Sequence, residues 1–155
     1  EENPKGTAGS IFDCLERDNT ELPILALNAD ILFNTNLTKF YEHHLELSND
    51  ITIGTAKYSL QLPYGVVKDQ DMFEGIVIEE KPIQNFNVLA GLYFINKNSL
   101  RNLKPGELDM DELINLMQSN ENSVGYYDLG SKWIDVGNEE SLLLAEKFVK
   151  SNLFN

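Results

Sequence analysis

The stretch that decides the fold is Pro23–Asp30, PILALNAD. Its first five residues are all apolar, and it ends abruptly in Asn28, Ala29 and Asp30. A run this short does not make an ordinary helix. It reads as a strand packed on both faces, the pattern of parallel sheets in α/β folds. Asp30 then stands at the strand's carboxyl end, where the loops of an open α/β sheet frame a ligand crevice. It is the first candidate for chemistry.

A second acid sits in similar surroundings. In Trp133–Gly137, WIDVG, Asp135 lies between apolar residues. Burying an unpaired carboxylate is expensive, so each acid is expected to have a partner. A hard cation such as Mg²⁺ is one, since it takes one or two protein carboxylates and completes its shell with phosphates and water. The plainer roles are an Asx turn for Asp30 and a cap or turn for Asp135.

The elements between follow from periodicity. Ser10 or Gly9 is expected to start a short helix on Ile11, Cys14 and Leu15, and Asn36 or Thr35 to cap a helix over Leu37–Leu47. His43 and His44 are adjacent and cannot form an i, i+4 metal pair; they read as surface and partly packed histidines. Strands are expected at Ile51–Ala56, Phe73–Ile78, Val88–Ile95 and Ser123–Tyr127. Pro63–Val67, PYGVV, is a turn into a strand, Ser99–Leu103 a brief helix and Pro105-Gly106 a turn. Helices are expected at Asp109–Met117 and, after an Asn138 cap, at Glu139–Val149.

Three smaller features carry chemical options. Glu79, Glu80, Lys81 and Pro82 lie at a strand end that proline terminates, and adjacent strand residues face opposite ways, so Glu80 and Lys81 are expected to meet different groups. A solvated charge cluster is the bland reading. Gly91 inside an apolar strand marks a bulge or a close approach to backbone. The small-residue loop Asn3–Ser10 lets backbone approach a ligand, and free N–H groups at a helix start favour an anion or a base carbonyl, although a simple connection is the commoner use.

Composition bounds the rest. The 155 residues, 42% hydrophobic and 24% charged, suit one globular domain. Twelve Lys and Arg stand against 25 Asp and Glu, a formal charge of −13, which argues against nucleic acid or an anionic membrane as partner. No stretch reaches the apolar length of a membrane span, and the N-terminus has no signal-peptide character. Cys14 is alone, so a reducing cytoplasm is the expected setting, and the Asn36-Leu37-Thr38 sequon is accidental.

The ordered series GTAG (6–9), NAD (28–30), PYGVV (63–67), EEKP (79–82), LAGLY (89–93) and WIDVG (133–137) resembles the sugar nucleotidyltransferases. The wording around PYGVV and EEKPIQNFNV is closest to mannose-1-phosphate and glucosamine-1-phosphate guanylyltransferase-like proteins, a branch that often carries paired CBS domains and works in surface-glycan pathways. The resemblance implies a Rossmann-like, GT-A-type mixed and mostly parallel sheet with flanking helices. It also implies attack of a sugar 1-phosphate on the α-phosphorus of a nucleoside triphosphate, giving a nucleotide sugar and pyrophosphate. Asp30 and Asp135 would hold Mg²⁺, Lys81 would meet the sugar phosphate and Glu80 the sugar hydroxyls. Gly65 and Gly91 would offer backbone to the sugar, and Gly6 and Thr7 would contact the base.

The chain departs from the family in two ways. Leu89 stands where many relatives have asparagine, and the family's opening strand and G-x-G-T-R-L loop are not in these residues. Residues 1–155 are therefore expected to be the C-terminal two-thirds of one nucleotidyltransferase domain, inactive alone and prone to self-association through an exposed strand edge. The alternative is a non-catalytic module that binds nucleotide sugars.

Overall fold

The computed structural model describes residues 5–17, 20–68, 75–104, 106–130 and 132–152. The central feature is a four-stranded sheet in the order β1 (Ile24–Leu27), β6 (Ile83–Ile95), β3 (Ile51–Gln61) and β7 (Val124–Asp128). Helices lie on both faces, so the α/β class with a mixed sheet and flanking helices holds.

Strand direction departs from expectation. β1 pairs antiparallel with β6, and β6 antiparallel with β3; among the described pairings only β3–β7 is parallel. β1 is also half-buried at the sheet edge. Its continuous apolar run still has a physical cause. Ile24 and Ala26 pack on one cluster and Leu25 on the other, so both faces are covered. Apolar side chains report covered faces, and they carry no information about the direction of the neighbouring strand.

Alternation along β6 builds the two clusters. Tyr93 and Ile95 face Ile11 and Phe12 of α1 (Gly9–Arg17) and Met110, Leu113, Ile114 and Met117 of α4 (Met110–Ser119). Ala90, Leu92 and Phe94 face Phe40 of α2 (Leu37–Glu46). α2 is capped by Asn36, whose side chain accepts from the Lys39 amide at 3.1 Å, and α5 (Glu139–Asn152) by Asn138, which accepts from Ser141 at 2.9 Å. The short helix α3 (Lys97–Leu100) follows β6 and buries Lys97, whose ammonium donates to the Thr20 carbonyl at 2.9 Å.

Two smaller ladders matter for function. β2 (Ile31–Phe33), which periodicity misses, pairs antiparallel with β8 (Trp133–Asp135). β4 (Gly65–Lys68) and β5 (Val77–Glu80) form a hairpin. It stands beyond a ribbon of β3 and β6 in which residues 57–61 and 83–87 are exposed. Phe73 of the expected strand, and Pro105 of the expected turn, lie outside the described residues.

Candidate functional site

The β2–β8 ladder brings the two acids to one place. Ile31 stands opposite Asp135, and the Asp30 carbonyl accepts from the Val136 amide at 2.8 Å. Neither acid is buried as expected: both are exposed, because β1 stops at Leu27 and leaves Asp30 in the turn before β2, while Asp135 is the last residue of β8. Neither carboxylate has a hydrogen bond or ion pair among the described residues. No group of three or more His, Cys, Asp or Glu gathers as a metal cluster among those residues. Two exposed, uncommitted carboxylates on one edge still fit Mg²⁺, which draws the rest of its shell from phosphates and water.

Asp135 opens onto a cleft of about 610 Å³, shared with Lys57, Ser59, Leu89, Trp133 and Asn138. The Trp133 indole N–H donates to the Ala90 carbonyl at 2.8 Å, which ties β8 to β6. A second cleft, of about 470 Å³, is lined by Thr7, Asn28, Leu89, Gly91, Tyr93 and Asp111. Leu89 lines both.

Gly91 has the close approach that its place in the strand implied. Its φ is +74°, and a Cβ there would lie 2.9 Å from the Asn28 side chain. The Asn28 amide also donates to the Gly91 carbonyl at 2.9 Å. Tyr93 is buried, which pushes its phenol up, and the Asp111 carboxylate adds to the shift.

The loop Gly6–Gly9 is built differently from the anion cradle considered above. The Thr7 N–H donates to Asp109 Oδ1 at 3.0 Å, Ala8 to the Leu108 carbonyl at 3.0 Å and Gly9 to the Gly6 carbonyl at 3.3 Å. The amides of Thr7, Ala8 and Gly9 are therefore committed within the protein. Gly6, at φ +78°, lies against the Leu108 backbone, where a Cβ would meet the carbonyl oxygen at 2.3 Å.

Gly65, Glu80 and Lys81 come together on the hairpin. Gly65 pairs with Glu80, whose carboxylate covers the glycine closely enough that a Cβ would lie 2.9 Å from Oε2. The Lys81 amide donates to the Tyr64 carbonyl at 3.1 Å. Lys81 itself has a φ of +48°, a left-handed conformation that a non-glycine residue adopts at a cost. The hairpin is a separate group: Lys81 precedes β6, whereas Gly91 lies in its second half.

Sequence reasoning assigned no role to Asp109, Asp111 or Tyr93. Asp109-x-x-Glu112 ahead of an apolar stripe is a capping-box pattern, and Glu112 does accept from the Asp109 amide at 2.9 Å. That pattern marks the helix start but not its distant partner, Thr7.

Comparison with known proteins supplies the family. A mannose-1-phosphate guanyltransferase from Pichia angusta is 30% identical over 154 residues, covering 92% of this chain and 41% of that protein. A glucose-1-phosphate thymidylyltransferase from Neisseria meningitidis is 26% identical over 158 residues, covering 96% of this chain and 55% of that protein. The chain thus spans about half or less of these relatives' length. The crystal structure of HddC from Yersinia pseudotuberculosis complexed with GMP-PN shares the fold, with a TM-score of 0.68 at 22% identity over 96% of this chain and 64% of that one. The family model described as nucleotidyl transferase matches residues 1–152. Its match to nearly the whole sequence, on a fold shared with solved relatives, establishes that the chain belongs to the nucleotidyl transferase family.

Proposed function

We propose that the protein transfers a nucleoside monophosphate from a nucleoside triphosphate to a sugar 1-phosphate, giving a nucleotide sugar and pyrophosphate. The observation that carries this reading is the backbone ladder that sets Asp30 beside Asp135, which lines an open cleft, in a chain of this family.

Such a reaction is accelerated mainly by positioning and by neutralising charge on the phosphates. Asp30 and Asp135 would hold Mg²⁺, which supplies positive charge to the phosphate oxygens when bound. Lys81 would meet the sugar phosphate, and its left-handed backbone supports the reading, since backbone strain persists where the surrounding structure and function require it. Glu80 would accept from sugar hydroxyls. Gly91 and Gly65 would offer backbone to the sugar, each beside a polar side chain, Asn28 and Glu80, that lies where its own Cβ would be. Gly6 and Thr7 would face the base. The cytoplasm, where nucleoside triphosphates are made, suits the reaction, and surface-glycan assembly would consume the product.

The test is pyrophosphate release from GTP or dTTP with mannose 1-phosphate or glucose 1-phosphate, with Mg²⁺ and with EDTA. It uses these residues joined to the family's opening strand and G-x-G-T-R-L loop, since alone they are expected to be inactive. Release that needs Mg²⁺ and disappears in Asp135→Ala supports transfer. Nucleotide-sugar binding with no release from any pair would replace the enzyme with a binding module.

A further inference from the structure

The Thr7–Asp109 contact joins two parts of the molecule that are distant in sequence, and it does so twice. Asp109 Oδ1 accepts from the Thr7 amide at 3.0 Å and from the Thr7 hydroxyl at 3.2 Å. The same hydroxyl accepts from the Met110 amide at 2.9 Å, satisfying one of the orphan donors at the start of α4. Thr7 thus serves as a second cap on a helix to which it does not belong. The neighbouring Leu108 backbone completes the clasp, accepting from Ala8 and donating to the Lys5 carbonyl, each at 3.0 Å.

Position gives the clasp its meaning. Thr7 lines the cleft that contains Gly91 and Asp111, and it also lines the groove that runs along β1 past Ser10, Ile24 and Asn28. It stands where the two spaces meet. Because its amide and hydroxyl are both committed to α4, Thr7 has little left with which to grip a ligand. What it can do is fix the height and angle of the Gly6–Ser10 turn over that junction.

We infer that Asp109 is a positioning residue for the nucleotide. It locks the Gly6–Ser10 turn to the start of α4, so that the base side of the site and the sugar side keep one spacing. The inference rests on the reading that this turn faces the base. A purely structural cap would stabilise α4 without distinguishing one half of the ligand from the other.

The experiment measures, by titration calorimetry on the whole chain with Mg²⁺, the affinities for GDP-mannose and for mannose 1-phosphate, in the wild type, Asp109→Ala, Asp109→Asn and Thr7→Val. In Asp109→Ala the affinity for GDP-mannose is expected to fall roughly tenfold, the scale of a lost charge-assisted hydrogen bond, while mannose 1-phosphate stays within about twofold. Asp109→Asn keeps an acceptor oxygen for Thr7 and is expected to restore most of the loss. Equal losses for both ligands, or none for either, would reduce Asp109 to a helix cap and overturn the inference while leaving the proposed function standing. Should Asp109→Ala fail to fold, Thr7→Val carries the same split, since it removes the hydroxyl and keeps the backbone donor. A wild type that binds neither ligand overturns the proposed function, and the positioning role with it.

Discussion

The carbonyl of Asp30 accepts a hydrogen bond from the amide of Val136 at 2.8 Å, next to the pair Ile31–Asp135. Two acids separated by most of the chain are thereby held on one edge by a ladder of three residues on each strand. A backbone constraint of this kind fixes the start of both side chains while leaving their carboxylates uncommitted. Such carboxylates suit a cation that arrives with its substrate.

Function and stability should therefore separate at Asp135. Asp135→Asn keeps the shape and removes the charge, so transfer is expected to drop by roughly 10²–10³, the scale of a lost charge-stabilising group. Because the residue is exposed, unfolding free energy should change by no more than about 0.5 kcal/mol. Steady-state rates and urea denaturation on the same preparation check both halves. A large stability loss would mean that the acid is a structural cap.

Lys81 should show the opposite trade. Its φ of +48° suits glycine, so Lys81→Gly is expected to gain about 1 kcal/mol of stability while losing sugar 1-phosphate binding. Denaturant midpoints and calorimetric titration read the two effects. A variant that is less stable would show that the lysine side chain holds the hairpin together.

Two glycines of similar backbone conformation separate strain from collision. Gly75, at φ +88°, has nothing among the described residues within 4 Å of where a Cβ would go, whereas at Gly91 the Cβ would lie 2.9 Å from Asn28. Gly75→Ala should cost about 1 kcal/mol, the penalty of the left-handed region. Gly91→Ala should cost about 3 kcal/mol, because the collision adds to the strain in a packed interior. Equal losses in thermal denaturation would mean that Asn28 swings aside freely.

The buried imidazole of His44 predicts a pH effect on stability. Its Nε2 faces Asn96 Oδ1 at 3.3 Å and its Nδ1 faces the Thr52 hydroxyl at 2.8 Å. An amide oxygen only accepts, so the network assigns the proton to Nε2 and lets Nδ1 accept from Thr52. Desolvation holds the pKa below the ordinary 6.5, with the charge of His43 acting in the same direction, against the Asn96 bond and the Asp50 carboxylate. The unfolded chain then takes up a proton that the folded one refuses. The contribution is full above pH 6.5 and is lost progressively as pH falls from there toward the folded pKa. Urea midpoints between pH 5 and 8 should show that slope, and His44→Gln should remove it. An unchanged slope in the variant would assign the effect to other groups.

How much of this the sequence discloses depends on the range of the interaction. The helices on Leu37–Glu46 and Met110–Ser119 and the Asn36 and Asn138 caps are local and were readable from spacing. β2 was not, since Ile31–Phe33 is too short to display a period. The apolar run at Pro23 disclosed two packed faces but not that its neighbour runs antiparallel, because direction is set by chain connections that no side chain encodes. Asp30 and Asp135 look buried from their neighbours, yet a turn residue between two strands and a strand's last residue need not share their neighbours' surroundings. The Thr7–Asp109 clasp spans 102 positions, and no periodicity reaches that far.

The bare ribbon of β3 and β6 has a consequence for how tightly anything can be held. Two strands without a covering layer are only marginally stable by themselves, and here they carry Glu80 and Lys81 at their outer end. Amide protons along Tyr58–Gln61 should thus exchange with deuterium through small local openings, long before those of Ile51–Ile53. A ligand that touched both Asp135 and Lys81 would have to still that motion, and the entropy lost by the ribbon would be subtracted from the ligand's own affinity.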